Sequence, residues 1–244
     1  MNSVSKKMKP YLLLLPGMDG TGDLFEPLID AIGAKLDTSI ISYPLEKALD
    51  YEELLNLVTS RIPKEKPYFL LGESFSGPLA VMAASKSSEN LLGIILVATF
   101  VKSPMPQWMR RLKWLLRGPM LDMRPRPFII KGLLGKECPE KTKRWVQDTL
   151  PRLKREVLAA RIKAVLEVNV REELKSCQVP VLCIAGSRDW LVGKKCLDVI
   201  WLCRPDVEIK VLEGVHMILQ SRPVEAADVI KEFCGRLWSA KCRV

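Results

Sequence analysis

The chain has 244 residues, 48% of them hydrophobic and 27% charged, with a mean hydropathy of +0.07. These values fit one sizeable α/β domain, since such folds run to about 200–250 residues undivided. No stretch approaches the roughly 18 apolar residues of a membrane span.

The net charge of +10 is unevenly placed. Residues 102–171 hold 18 Lys and Arg against 6 Asp and Glu, a net +12, which leaves 20 against 22, or −2, elsewhere. Seven cysteines are an odd number at spacings that match no zinc motif, and there is a single histidine to help them. Free thiols in a reducing compartment, with no metal site and no cofactor, are therefore expected.

In chain order, Tyr11 to Leu15 is a short apolar run ending in Pro16-Gly17. It is too short for a signal peptide and lacks an A-x-A-like site, so it reads as a buried strand of a cytoplasmic protein. Gly17-Met18-Asp19-Gly20-Thr21-Gly22 is a glycine-rich turn leading into a predicted helix over 24–36. A strand is expected over 38–43 and a helix over 51–62. The stretch from Tyr68 to Gly77 reads as a short apolar strand, a tight turn holding Ser74 within Gly72-Glu73-Ser74-Phe75-Ser76-Gly77, and then a helix that continues over 78–84. Another buried strand is expected over 92–99. Residues 100–173 break this alternation with several proline-interrupted helices. It resumes with a strand over 180–186, a helix over 194–202, a strand over 207–212 and a closing helix over 224–237. Strands alternating with helices in this way predict a parallel sheet covered by helices on both faces.

The loops after such strands collect the site. A serine between a strand and a helix, with Gly72 two residues before it, has the form of a nucleophile elbow. Ser76 stands where that pattern wants its second glycine, and Gly77 follows. Taken alone, a surface turn rich in Gly and Ser reads the same way. Asp189 lies three residues past Gly186, and His216 follows the last strand after Gly214-Val215. Asp19 reads as an orienting residue of its own turn and Glu73 as a hydrogen-bonding brace. Asp198 falls within a helix, and Asp206 at the wrong end of the sheet.

Four stretches together resemble the α/β-hydrolase superfamily of the serine esterase and lipase type. They are Leu15-Pro16-Gly17-Met18-Asp19-Gly20, Gly72-Glu73-Ser74-Phe75-Ser76-Gly77, Gly186-Ser187-Arg188-Asp189-Trp190-Leu191-Val192 and Gly214-Val215-His216. The resemblance implies a mostly parallel sheet of about six strands, without the first N-terminal strands of many members. It implies Ser74 as nucleophile, His216 as general base, and Asp189 holding the imidazole tautomer. The backbone N–H groups of Met18 and Phe75 would then bind the oxyanion. A neutral imidazole is required, so activity is expected to fall below about pH 6.5, where a free histidine side chain protonates.

Residues 1–99 and 174–244 would form the hydrolase core, and 100–173 a helical, basic lid inserted in it. Trp108, Leu112 and Leu115 fall on one helical stripe with Arg110, Arg111, Lys113 and Arg117 around it, and are candidate substrate-binding residues. The lid's charges are either simply solvated or meet an anionic membrane surface or an acidic acyl carrier. Nucleic acid is disfavoured because no binding motif accompanies the charge. The primary expectation is a carboxylesterase acting on a small-molecule acyl ester through an acyl-enzyme. A thioesterase or acyltransferase using acyl-CoA or an acyl carrier protein stands beside it. A non-catalytic scaffold that binds through the basic lid is the third reading.

Overall fold

A computed structural model describes residues 9–86, 89–106, 132–135, 138, 140–149 and 152–242. Its strands are β1 (Tyr11–Leu15), β2 (Asp37–Ile40), β3 (Tyr68–Glu73), β4 (Leu91–Val97), β5 (Val181–Gly186) and β6 (Glu208–Leu212). They form one 6-stranded sheet in the order β2-β1-β3-β4-β5-β6, and every neighbouring pair is parallel. The flanking helices are α1 (Glu26–Ile32), α2 (Tyr51–Arg61), α3 (Gly77–Ser85), α4 (Glu140–Thr149) and α5 (Arg155–Glu167). They continue with α6 (Arg171–Ser176), α7 (Lys194–Cys203), α8 (Ile218–Ser221) and α9 (Pro223–Lys241).

The sheet is covered on both faces, which is why its central strands read as unbroken apolar runs. Successive side chains point to opposite faces. Leu12, Leu14, Phe69, Leu71, Ile95, Val97, Leu182 and Ile184 pack with Leu28 and Ile32 of α1 and Ile230 and Phe233 of α9. On the other side, Leu13, Leu15, Leu70, Ile94, Leu96 and Cys183 pack with Leu54 and Val58 of α2, Leu79 of α3 and Ile200 of α7. Each such side chain contributes roughly 1.5–3 kcal/mol of apolar burial, so the sheet is a firm base for the loops at its carboxyl edge.

Two elements differ from the sequence expectation. The helix over 24–36 is a 3-10 turn (Asp23–Phe25), then α1, then a second 3-10 turn (Gly33–Lys35). Gly33 adopts φ 58°, which breaks the helical path. The strand over 38–43 stops at Ile40, because the chain bends so that the Tyr43 N–H reaches the Gly20 carbonyl at 2.7 Å. The other boundaries fall within a few residues of the expected ones. Helix α2 opens with a capping box in which Asp50 and Glu53 satisfy each other's backbone N–H groups.

After β4 the chain leaves the sheet, and it returns before α6 alongside its own exit. Lys102 and Asn169 form an antiparallel bridge, with Ser103 N–H donating to Val168 O at 3.1 Å and Val170 N–H to Val101 O at 2.7 Å. Between them, Leu134, Cys138 and Val146 form a small cluster with Leu24 and Met217. Trp108, Leu112 and Leu115 lie outside the described residues. Among the described residues no helix is long and apolar enough to cross a membrane.

Candidate active site

Strand β3 delivers the chain into a turn at Ser74, whose φ of 49° lies in the left-handed region. A non-glycine residue there costs about 1–3 kcal/mol, and such strain persists only where the surroundings enforce it. Here they do. A Cβ on Gly72 would lie 2.4 Å from the Ser76 carbonyl oxygen, and one on Gly77 would lie 2.0 Å from Thr99 Oγ1. Both positions need glycine because backbone and side chain approach so closely. Through the space left by Gly77, the Thr99 hydroxyl donates to the Ser74 carbonyl. The Tyr51 hydroxyl donates to the Phe75 carbonyl at 2.8 Å, and its ring stacks on Phe75 at 4.8 Å.

Two further strand ends bring the other sequence-predicted residues to this turn. The Asp189 loop follows β5 and the His216 loop follows β6, and Gly186 lets them touch. A Cβ there would lie 2.4 Å from the Val215 carbonyl oxygen. His216 Nδ1 is 2.8 Å from Asp189 Oδ2, and His216 Nε2 is 2.9 Å from Ser74 Oγ. A carboxylate only accepts hydrogen bonds, so Nδ1 carries the proton and Nε2 presents a lone pair to the serine hydroxyl. Asp189 Oδ1 is held by the Leu191 and Val192 N–H groups, each at 2.9 Å. The Asp189 side chain is 1% exposed. Burial of this kind strengthens each contact in the relay.

The glycine-rich turn after β1 lies against Ser74, a Cβ on Gly17 falling 3.8 Å from the serine Cβ. Gly20 N–H closes the turn on Gly17 O at 3.1 Å. Asp19 braces the turn by accepting from the Thr21 N–H and hydroxyl at 2.9 and 2.6 Å, as the sequence suggested. Ser76 does more than fit as a small residue. It is fully buried, donates to the Pro16 carbonyl and shares a hydrogen bond of 2.6 Å with the Tyr43 hydroxyl. Among the described residues, the Met18 N–H has no acceptor.

Sequence reasoning missed Tyr43, Tyr51, Thr99 and Arg161. Arg161 on α5 is 2% exposed and donates to Met18 O at 2.7 Å and to Pro44 O at 3.1 Å. One cation among the 18 of the basic segment carries no mark that it turns inward.

Glu73 is buried beside Ser74 and accepts from Gln220 Nε2 at 2.9 Å. Burial pushes its carboxyl up to about 8, the Gln220 hydrogen bond pulling the other way. Asp198 sits on α7, and Asp206 precedes β6 with its carboxylate on Arg204, so neither competes for the imidazole. Burial pushes the Cys183 and Cys196 thiols up to about 12 and about 11, the reverse of what a thiolate nucleophile requires. No disulfide forms among the described residues. Nor do three or more His, Cys, Asp or Glu side chains there converge on a point that could hold a metal ion.

A family model described as serine aminopeptidase, S33, matches residues 46–220. The chain belongs to this family of α/β hydrolases. Phytyl ester synthase 1, chloroplastic, of Arabidopsis thaliana is 31% identical over an alignment of 141 positions that covers 52% of this chain and 19% of that protein. The chain thus spans well under two thirds of the length of that relative. A lipase-esterase related protein from Clostridium acetobutylicum superposes with a TM-score of 0.77 at 16% identity, covering 93% of this chain and 95% of the other. An esterase from Exiguobacterium antarcticum does so at 0.75 and 17%, covering 93% and 92%. At those identities the solved structures establish the α/β-hydrolase fold alone.

Proposed function

We propose that this α/β hydrolase cleaves carboxylic esters through an acyl-enzyme on Ser74. The observation that carries the reading is the relay of 2.9 Å from Ser74 to His216 and 2.8 Å from His216 to Asp189, built from three strand ends. A free serine hydroxyl is a weak nucleophile and needs an adjacent base. His216 Nε2 takes the proton as Ser74 Oγ attacks the acyl carbon, and Asp189 Oδ2 stabilises the imidazolium. The tetrahedral oxyanion forms toward the N–H groups of Met18 and Phe75, each such donor being worth roughly 10²–10³ in kcat. His216 then protonates the leaving alcohol, and water repeats the sequence on the acyl-enzyme. The assembled relay speaks against a purely binding scaffold.

The segment over 100–173 is assigned in this reading as the lid. Its described part supports that role. Met217 N–H donates to Leu133 O at 3.0 Å, and Trp190 Nε1–H donates to Gly132 O at 3.1 Å, so residues 132–133 rest on the His216 and Asp189 loops.

The test is a chain-length series of p-nitrophenyl esters with wild type and Ser74→Ala, alongside labelling by an alkyl fluorophosphonate. Loss of both turnover and label in the variant is expected. Full activity in Ser74→Ala would remove the nucleophile assignment. A second reading, acyl transfer to an alcohol, is favoured by the 31% identical stretch in a protein named as an ester synthase. Adding a long-chain alcohol separates the two, because transfer yields a new ester and hydrolysis yields the free acid.

A further inference from the structure

Arg161 is a charged side chain placed where charge is expensive. It is 2% exposed and forms no ion pair within 4.0 Å among the described residues. Its recorded hydrogen bonds go to two backbone carbonyls. A guanidinium stays cationic in proteins, so this is a buried charge whose desolvation is offset, among the described residues, by those carbonyls, by the Tyr43 ring 5.7 Å away and by attraction to Asp19. Bulk apolar packing would be served better by leucine or methionine. Such a charge calls for a role beyond packing.

The place is specific. The two carbonyls belong to the turn after β1 (Met18) and to the loop after β2 (Pro44), and one Nη reaches each. Gly20 adopts φ 74°, and a Cβ there would lie 2.5 Å from Arg161 Nη1, so the turn is shaped around the guanidinium. Holding the Met18 carbonyl sets the rotation of the chain immediately after the Gly17–Met18 peptide, and that peptide carries the Met18 N–H. Close by, Arg152 pairs with Asp23 at 3.5 Å and Lys154 pairs with Glu46, so the start of α5 is tied to the same two loops.

We propose that Arg161 is a positioning residue for the oxyanion hole, locking the Met18 turn in its donating geometry from α5, within the 100–173 segment. The proposal rests on the acyl-enzyme reading above. It assigns an inward role to a charge in the basic segment that otherwise reads as solvated or partner-binding. A forked donor is required because two carbonyls on separate loops must be held at once, which a lysine ammonium does not do with the same geometry.

The experiment measures kcat and KM of Arg161→Met and Arg161→Lys on a p-nitrophenyl ester, normalised to active sites counted by fluorophosphonate titration. A fall in kcat per titrated site on the order of 10- to 100-fold is expected for Arg161→Met, since misplacement by about 1 Å costs up to about 100-fold. KM should stay within about 3-fold, because ground-state binding is not what the oxyanion donors supply. Arg161→Lys should fall between wild type and Arg161→Met. In Arg161→Ala, added n-propylguanidinium should restore part of the lost kcat, while n-butylammonium should not. An unchanged kcat per titrated site, with loss confined to melting temperature and to the number of active sites, would mean a structural brace only and overturn the proposal. If Arg161→Met does not fold, Arg161→Lys decides on the same ratio. Ser74→Ala in parallel separates the two failures. If it remains active the acyl-enzyme reading falls, and if it is dead while the Arg161 variants keep full kcat only the positioning role falls.

Discussion

The Tyr43 and Ser76 hydroxyls share a buried hydrogen bond of 2.6 Å, and the Ser76 O–H donates to the Pro16 carbonyl. Since the Ser76 proton goes to Pro16, Tyr43 must be the donor in the shared bond. The chain of hydroxyls ties the loop after β2, the elbow and the end of β1 into one unit. Burial pushes the Tyr43 phenol far above its usual range, so it remains a neutral donor. Ser76→Ala leaves a buried tyrosine hydroxyl unpaired and should destabilise by about 1–3 kcal/mol. Tyr43→Phe combined with Ser76→Ala should cost less than the two singles added together, because the second loss finds no partner left to strand. Urea unfolding of the four proteins measures this coupling.

Asp189→Asn tests the relay without emptying the site. The carboxamide oxygen can still take the Leu191 and Val192 N–H groups that Oδ1 accepts now. Its NH₂ group then faces His216 Nδ1 and favours the tautomer whose Nε2 carries the proton. The base turned toward Ser74 is lost. A fall in kcat of roughly 10³–10⁴-fold is expected with the fold intact, read by steady-state ester kinetics beside near-ultraviolet circular dichroism.

Glu73 links stability to pH. Its folded-state value is about 8 against an ordinary 4.5, raised by burial. Below about 4.5 the group is neutral in both folded and unfolded chains, so it costs nothing. Between about 4.5 and 8 the unfolded chain ionises while the folded one resists, and stability falls as pH rises. Above about 8 the loss is complete. Glu73→Gln keeps an acceptor for Gln220 and removes the charge. It should therefore raise the melting temperature at pH 8 by an amount that vanishes near pH 4, worth up to a few kcal/mol since one unit is about 1.4 kcal/mol. Thermal melts across pH 4–9 check it, and an equal difference at both ends would refute the linkage.

Two glycines should respond in opposite senses to alanine. Gly72→Ala drives a methyl group against the Ser76 carbonyl oxygen, which the elbow cannot move aside. Loss of both activity and stability is expected, the latter by about 1–3 kcal/mol or more. Gly235, in the interior of α9, has open space where its Cβ would be. Gly235→Ala should stabilise by about 0.4–1 kcal/mol with unchanged kcat. Chemical denaturation and ester turnover on the same samples distinguish the pair.

The strands were legible because a parallel strand buried on both faces must be apolar throughout, as in Leu12–Leu15 and Ile94–Val97. Ser74 and Asp189 were legible as candidates because each follows such a strand, and His216 because it is the single histidine and follows the last strand, all three next to glycines that a tight turn needs. These are local signals, carried by neighbours a few residues apart. The bends at Gly33 and after Ile40 were not legible, since helix and strand propensity say nothing of where Tyr43 N–H will find its acceptor.

Sequence alone thus determined the sheet, its order of chemistry-bearing loops and the identity of the nucleophile and base candidates. Only the tertiary structure decided that Ser76 is a hydrogen-bonding link rather than a small residue, and that Arg161, 143 positions from Met18, turns its charge inward to that turn. The reason is physical. A buried polar group is stable only against a partner that desolvates with it, and that partner is chosen by how the elements pack, which no local pattern records.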